Sequence, residues 1–118
     1  MTNIQYRIML QLKSAEYDPK SCWDSLKPYI KPKFGADVED ETDTSYRVNF
    51  HSSVQPSEMR KTLAEAFKTI HGVYYADVLY RFPDEMFHDR FTIWSDGMCQ
   101  EYSTRSVYIE DGEMQKIL

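Results

Sequence analysis

The sequence is poor in cysteine and cannot build a dense disulfide framework. Its 118 residues include only Cys22 and Cys99, one on a predicted helix and one on a predicted strand. Small secreted domains rely on closely spaced cysteines, whereas a chain of this length can bury a core without them. We therefore expect reduced thiols and a single domain over residues 1–118.

Glycine and long hydrophobic runs are also scarce. The four glycines stand apart from one another, so the glycine-rich loop that cradles phosphates in nucleotide hydrolases is missing. No run is long and apolar enough for a transmembrane helix, and the first residues alternate polar with apolar side chains, unlike a signal peptide. We therefore expect a soluble cytoplasmic protein.

Positive charge is scarce outside the first third of the chain. Residues 1–34 carry six Lys and Arg against three Asp and Glu, whereas residues 35–118 carry eight against sixteen, and the net charge is −5. An acidic majority repels phosphate backbones at long range. This balance argues against non-specific binding of duplex DNA, although a local basic patch could still attract phosphates.

Hydrophobic periodicity predicts the strands. Apolar residues alternate with polar ones over residues 4–12, and residues 46–50 and 73–82 repeat the pattern. A short acidic strand at 36–41 with a turn at 42–44 is a further candidate. Asp96-Gly97 is a two-residue turn that joins a strand around Phe91 and Ile93 to one over residues 98–103. Residues 106–109 form a possible last strand.

Two helices are predicted between these strands. Asp18 and Pro19 favour a helix start, and Pro28 should kink or end that helix. A second helix opens at Pro56 and stops at Gly72. Each has one apolar face, comprising Cys22, Trp23, Leu26 and Ile30 in the first helix and Met59, Leu63, Ala66, Phe67 and Ile70 in the second.

The order of these elements predicts the fold class. We expect an α+β domain with a ferredoxin-like β-α-β-β-α-β antiparallel sheet, two helices on one face, and a C-terminal β-hairpin that extends the sheet. Five residues should be buried in its core, namely Leu10, Val48, Leu63, Phe67 and Val78.

Metal and nucleophile signatures are weak. Asp84, Glu85, His88 and Asp89 contain one Glu-x-x-His spacing, but carboxylate-bridged metal sites need two such motifs and further glutamates. A solvated loop between strands is the favoured interpretation. Cys99 with His88 is the one pairing that adjacency suggests for nucleophilic catalysis, and a buried structural cysteine is the more common state. We predict no metal, no cofactor and no enzymatic activity.

The polar face of the predicted sheet suggests a binding surface. It gathers cationic and aromatic side chains, the groups that bind single-stranded nucleic acid, namely Arg7, Arg47, Tyr75, Arg81 and Trp94. The element order resembles that of the RRM family. The positions where that family carries stacking aromatics hold other residues here, namely Gln5, Arg7, Met9, Arg47 and Asn49. A face whose arginines pair with Asp77 and neighbouring polar groups is the alternative.

An acidic run offers a second candidate surface. It spans a possible edge strand and its turn, and consists of Asp37, Glu39, Asp40, Glu41 and Asp43. Carboxylates spaced along a rigid edge can imitate a phosphate backbone and attract a nucleic-acid-binding surface of another protein. Charges on an edge strand also prevent aggregation between sheets, which is the structural alternative.

These features favour a non-enzymatic protein-binding module. Tyrosine, methionine and tryptophan supply interface side chains, while catalytic constellations are missing. In size and charge the chain resembles phage-encoded inhibitors of host defence or host enzymes. We expect an acidic inhibitor or adaptor, a nucleic-acid mimic, of a protein that handles nucleic acid. Direct binding of single-stranded nucleic acid on the open sheet face is the alternative, and an enzyme ranks third.

Overall fold

A computed structural model describes residues 4–34, 47–103, 110–111 and 115–116, with side chains to Ile30 in the first range and to Tyr102 in the second. These residues form an α+β fold with two helices and a five-stranded antiparallel open sheet. The elements are β1 (Ile4–Leu12), α1 (Pro19–Phe34), β2 (Arg47–Ser52), α2 (Pro56–Ala66), β3 (Val73–Arg81), β4 (Asp89–Trp94) and β5 (Met98–Ser103). Two-residue strands β6 (Glu110–Asp111) and β7 (Gln115–Lys116) pair with β5.

The first strand of the chain lies inside the sheet. The strand order is β2-β1-β3-β4-β5, so β1 pairs with β2 on one side and with β3 on the other. Tyr6 is opposite Phe50 and Tyr80 in these two pairs, and all three rings are buried. Alternation along β1 therefore sends every second side chain into one core, as the sequence predicted.

That core lies between one face of the sheet and the two helices. The five residues expected there are all buried, which confirms the prediction, and both helices contribute their apolar faces to the same cluster. The largest fully buried side chains include Tyr6 from β1 and Phe91 from β4. The opposite face of the sheet therefore carries the polar members of each strand.

Helix α1 begins where the sequence predicted but continues past Pro28. The Asp18 carboxylate accepts hydrogen bonds from the backbone N–H and the hydroxyl of Ser21, at 3.2 and 2.8 Å, and so caps the first turn. Pro28 was expected to kink or end the helix, and it does not end it, since α1 extends to Phe34. Leu26 and Ile30 on either side of Pro28 are fully buried, and their packing offsets the hydrogen bond that proline cannot donate.

A glycine after α2 makes the turn into β3. Gly72 has φ +99°, a left-handed conformation that side chains other than glycine's rarely adopt. A Cβ at this position would also lie 2.4 Å from the Tyr17 ring. The Gly72 carbonyl accepts the Lys13 N–H at 2.8 Å, which fixes this turn against the end of β1.

The start of β3 differs from the sequence expectation. Regular alternation over residues 73–82 would place Tyr74 on the inward face with Ala76 and Val78, but Tyr74 is 52% exposed and Val73 is buried instead. The pairing of β1 with β3 shifts register between Gln11 and Leu12. This irregularity breaks the simple alternation at the end of the strand.

The order of elements also differs from the ferredoxin-like order. Without the two-residue strands, the described order is β-α-β-α-β-β-β, and the sheet grows beyond β3 because Phe91 and Ile93 continue the apolar face. The expected β4–β5 hairpin is confirmed, but three residues, 95–97, connect its strands instead of the expected two. The strands expected at 36–41 and 106–109, and the turn at 42–44, lie outside the described residues.

Candidate functional site

The candidate site is the face of the sheet opposite the core. We call it the open face and define it as the outward side of β1 to β5, because both helices bury their apolar residues against the other side. Strand register sends alternate residues to this face from all five strands. Its cationic and aromatic members are Arg7, Arg47, Arg81, Arg90, Tyr75, Trp94 and Tyr102.

Positive charge dominates the open face. Four arginines face outward from β1 to β5, whereas Asp77 is the single carboxylate at the outward positions of these strands. The Asp77 carboxylate accepts a hydrogen bond from the hydroxyl of Thr92, its cross-strand partner. The face is therefore locally basic in a chain whose net charge is −5.

Aromatic rings lie beside these charges. Tyr75 and Trp94 are cross-strand partners whose ring centroids are 6.1 Å apart with an angle of 55° between the planes. The exposed ring of Tyr74 lies 5.5 Å from Tyr75. On β4 and β5, the Arg90 guanidinium lies 4.4 Å from the centroid of Tyr102. Flat rings next to guanidinium groups can stack on bases and pair with phosphates.

A small pocket opens at the other end of this face. It has a volume of about 90 Å³ and is lined by Gln5, Tyr6, Arg7, Asn49, Leu79 and His88. Arg81 lies at its edge and donates to the Gln5 side-chain oxygen from Nε and Nη2, at 3.4 and 3.3 Å. A third bond runs from Arg81 Nη1 to the Glu85 carbonyl at 3.1 Å. Arg81 thus ties the loop between β3 and β4 to β1.

The structure brings one set of candidate residues together and leaves the other undescribed. The five cationic and aromatic residues named from the sequence all lie on the open face, spread over β1 to β4. Sequence reasoning missed Arg90 and Tyr102. Arg90 alternates with Thr92 and Trp94 along β4, and Tyr102 is the cross-strand partner of Arg90 on β5. The acidic residues Asp37, Glu39, Asp40, Glu41 and Asp43 lie outside the described residues.

The metal-like cluster does not converge. Residues 83–88 form a loop rather than a helical turn, and His88 lines the pocket on the open face. Asp89 begins β4. Burial raises the pKa of Tyr80 on the core side, and the nearby Asp89 charge raises it further. Within the part of the chain that the structure describes, no three His, Cys, Asp or Glu side chains are placed to hold a metal ion.

Cys99 and His88 lie on different sides of the sheet. Cys99 is 2% exposed and pairs with Ile93 on the core face, whereas His88 lines the pocket on the open face. Burial raises the pKa of the Cys99 thiol to about 11, with smaller opposing effects of Arg60 and Glu101. A protonated thiol is a poor nucleophile, so this pair does not form a catalytic site.

A second pocket lies at the end of β1. It has a volume of about 470 Å³ and is lined by residues 10–15 together with Tyr17 and Pro19. Of the described residues in this lining, Lys13 alone carries a charged side chain, and none is an arginine of the open face. We assign it no chemistry.

Comparisons with known proteins give no relative. No protein family, curated protein or solved structure matches this chain. Among the helices of the described residues, neither has the length and apolarity needed to cross a membrane. Function must therefore be inferred from the open face itself.

Proposed function

We propose that this chain is a non-enzymatic binding module that holds single-stranded nucleic acid on its open face. The observation that carries the proposal is the concentration of four arginines and three aromatic rings on one side of an otherwise acidic protein. This concentration favours the binding of single-stranded nucleic acid, which was the alternative in the sequence analysis, over the acidic-inhibitor hypothesis. The side chains on which nucleic-acid binding depends are gathered by the fold into one surface.

The two kinds of side chain serve different parts of the ligand. Arginines neutralise phosphates and release counterions, which gives affinity without sequence preference. Tyr75 and Trp94 present rings on which unpaired bases can stack, a contact that bases inside a duplex cannot make. The proposal therefore specifies a single strand and predicts weak binding to duplexes.

Oligonucleotide binding tests this proposal. Fluorescence anisotropy with a labelled single strand should show affinity that falls as salt rises. Changing Arg7 and Arg47 to glutamine should reduce the log–log salt slope by about 0.7 for each phosphate that the variant no longer neutralises. Tyr75→Ala should weaken binding by roughly 5- to 150-fold, equivalent to about 1 to 3 kcal/mol.

A matched variant separates local contacts from net charge. Changing Lys61 and Lys68 to glutamine removes the same charge from exposed positions on and after α2, on the core side of the sheet. This control should leave the affinity within about twofold of the unmodified protein. Equal losses of affinity in the arginine and lysine variants, or no salt-sensitive binding at all, would reject the proposal.

An acidic inhibitor or adaptor of a nucleic-acid-handling protein is the second candidate. The observation in its favour is the run of five carboxylates within residues 37–43. A phage-type anti-defence protein that mimics nucleic acid would use this run to bind a basic protein surface. Changing Asp37, Glu39 and Glu41 to lysine should then abolish capture of a protein partner, while the arginine variants should retain it.

Two finer expectations belong with these proposals. A ferredoxin-like sheet requires residues 36–41 to form a strand beside β2. Slow amide exchange within residues 36–41 would support that strand. A cytoplasmic location is consistent with two free cysteines, Cys22 and Cys99, both buried. Fractionation of cells that produce the tagged protein would test the location.

A further inference from the structure

The small pocket on the open face has the shape and chemistry of a phosphate site. Arg7 of β1 is opposite Asn49 of β2 and Leu79 of β3. Gln5 lies two residues before Arg7 in β1, and His88 contributes to the lining from the loop before β4. The pocket volume is about 90 Å³. This space is large enough for one tetrahedral phosphate group.

Side chains that carry hydrogen-bond donors line this space. Arg81 donates to the Gln5 oxygen from two nitrogens, so the Gln5 amide nitrogen is left to donate elsewhere. Arg7 follows two residues later on the same face and is opposite Asn49, whose amide adds further donors. A fixed amide beside a guanidinium is an arrangement that binds anionic oxygens through charge-assisted hydrogen bonds.

The lining also lacks what would repel an anion. Among the described residues that line the pocket, none is an aspartate or a glutamate. Asp77 is on the same face but two residues along β3 from Leu79, and its carboxylate accepts a hydrogen bond from Thr92. Leu79 supplies an apolar wall, which lowers the local dielectric and strengthens the contacts with an anion.

We propose that this pocket binds a phosphate group through Gln5, Arg7 and Asn49. If the phosphate belongs to the backbone of a bound single strand, the pocket proposal rests on the proposed function. Gln5 lies six residues along β1 from Gln11, the partner of Tyr75, which is a distance of about 20 Å. The pocket and the Tyr75–Trp94 pair would therefore hold points several nucleotides apart and fix the path of the strand.

Two probes distinguish the sources of the phosphate. Two ligands are titrated separately into the ¹⁵N-labelled protein: inorganic phosphate, and a single-stranded oligonucleotide without a terminal phosphate. Sodium chloride at equal ionic strength is the reference. We expect inorganic phosphate to shift the signals of Gln5, Arg7 and Asn49 in a saturable way. The oligonucleotide should shift the same signals together with those of Tyr75 and Trp94.

Variants with matched controls complete the test. Gln5→Leu and Arg7→Gln should each weaken phosphate binding at least tenfold, and oligonucleotide binding at least fivefold. Gln11→Leu is the control for Gln5→Leu, because it makes the same change on the same face of β1. Lys61→Gln is the control for Arg7→Gln, because it removes one positive charge from α2. Both controls should bind inorganic phosphate within about twofold of the unmodified protein, and dispersed spectra will show that each variant is folded.

The outcomes separate the two proposals. Phosphate shifts no larger than those of chloride, with oligonucleotide still bound on the open face, would overturn the pocket and leave the proposed function standing. Saturable phosphate binding without any oligonucleotide binding would uphold the pocket and reject the single-strand function. Equal losses of affinity in the pocket variants and their controls would also overturn the phosphate site.

Discussion

Arg60 of α2 forms an ion pair with Glu101 of β5, and its guanidinium lies 5.0 Å from the centroid of the Phe91 ring. The Arg60 side chain is 16% exposed, whereas that of Glu101 is 51% exposed. The pair thus joins a helix to the outer long strand of the sheet across an aromatic ring of the core. Arg60 contributes both packing and charge, while Glu101 contributes mainly charge.

This asymmetry predicts the order of two stability losses. Glu101→Gln should lower the free energy of unfolding by about 1 kcal/mol, because the carboxylate is half-exposed and screened by solvent. Arg60→Ala should cost more, since it also removes the stem that packs on Phe91. Urea denaturation of both variants measures the difference, and a larger loss for Glu101→Gln would contradict this interpretation.

Phe67 tests the packing of the second helix. The side chain follows α2, is 5% exposed and belongs to the buried cluster. Phe67→Ala should lower the free energy of unfolding by about 3 to 5 kcal/mol, because it removes a buried ring and leaves a cavity. Lys68→Ala is the neighbouring exposed control and should change stability by about 0.5 kcal/mol or less. A loss below about 1 kcal/mol for Phe67→Ala would show that the ring is not packed.

Cys99 should be unreactive in the folded protein. Burial raises its pKa to about 11, so about one thiol in a thousand is ionised at pH 8. In a Cys22→Ala variant, which leaves Cys99 as the only thiol, a disulfide reagent should label the protein only as urea unfolds it. Labelling in native buffer at the rate of a free thiol would be inconsistent with a buried Cys99.

The cap of α1 predicts a dependence of stability on pH. Hydrogen bonding from the Ser21 side chain is the largest cause that lowers the pKa of Asp18, and it outweighs the opposing effect of desolvation with smaller help from the Ser21 and Lys20 backbone and the Lys20 charge. Because the folded pKa is depressed, the stabilisation is present above the unfolded value of about 4 and is lost as pH falls through the folded pKa. Asp18→Ala should therefore have a lower Tm at pH 7 and lose most of this deficit in strong acid.

Asn at position 18 supplies the control for that experiment. Asp18→Asn keeps a capping side chain but cannot titrate, so its Tm should follow a flatter course in acid than that of the unmodified protein. Thermal unfolding followed by circular dichroism from neutral pH into strong acid measures all three proteins. A deficit for Asp18→Ala that is unchanged in strong acid would argue against the cap.

Local patterns predicted the parts of the fold that depend on one face of one element. The alternation in β1 and the helical spacing around Leu63 each identify a buried side, and these predictions are confirmed. Pro28 does not end α1, because the burial of Leu26 and Ile30 outweighs its local penalty, which only the assembled core reveals. Strand order required long-range pairing and could not be derived from periodicity.

The candidate site was predictable to a similar extent. Alternation alone places Arg7, Tyr75 and Trp94 on the polar face, and the structure puts them there. The pocket depends on Arg81, which reaches Gln5 across 76 positions of sequence, and no local pattern predicts that contact. The open face therefore follows from periodicity, whereas the pocket within it follows from the register of β1 against β3.

The interior position of β1 has a consequence for how the protein is made. Its residues are synthesised before those of its partner strands, since Ile4 pairs with Ser52 and Gln5 with Arg81. A nascent chain that ends before Val73 has an apolar strand with one edge still unpaired, a state that invites aggregation. Pairing between strands distant in sequence slows folding, because the entropy of closing the long loops is lost before the strand contacts can form. We expect the chain to fold only after most of it has been synthesised, with β3 as the strand that completes the centre.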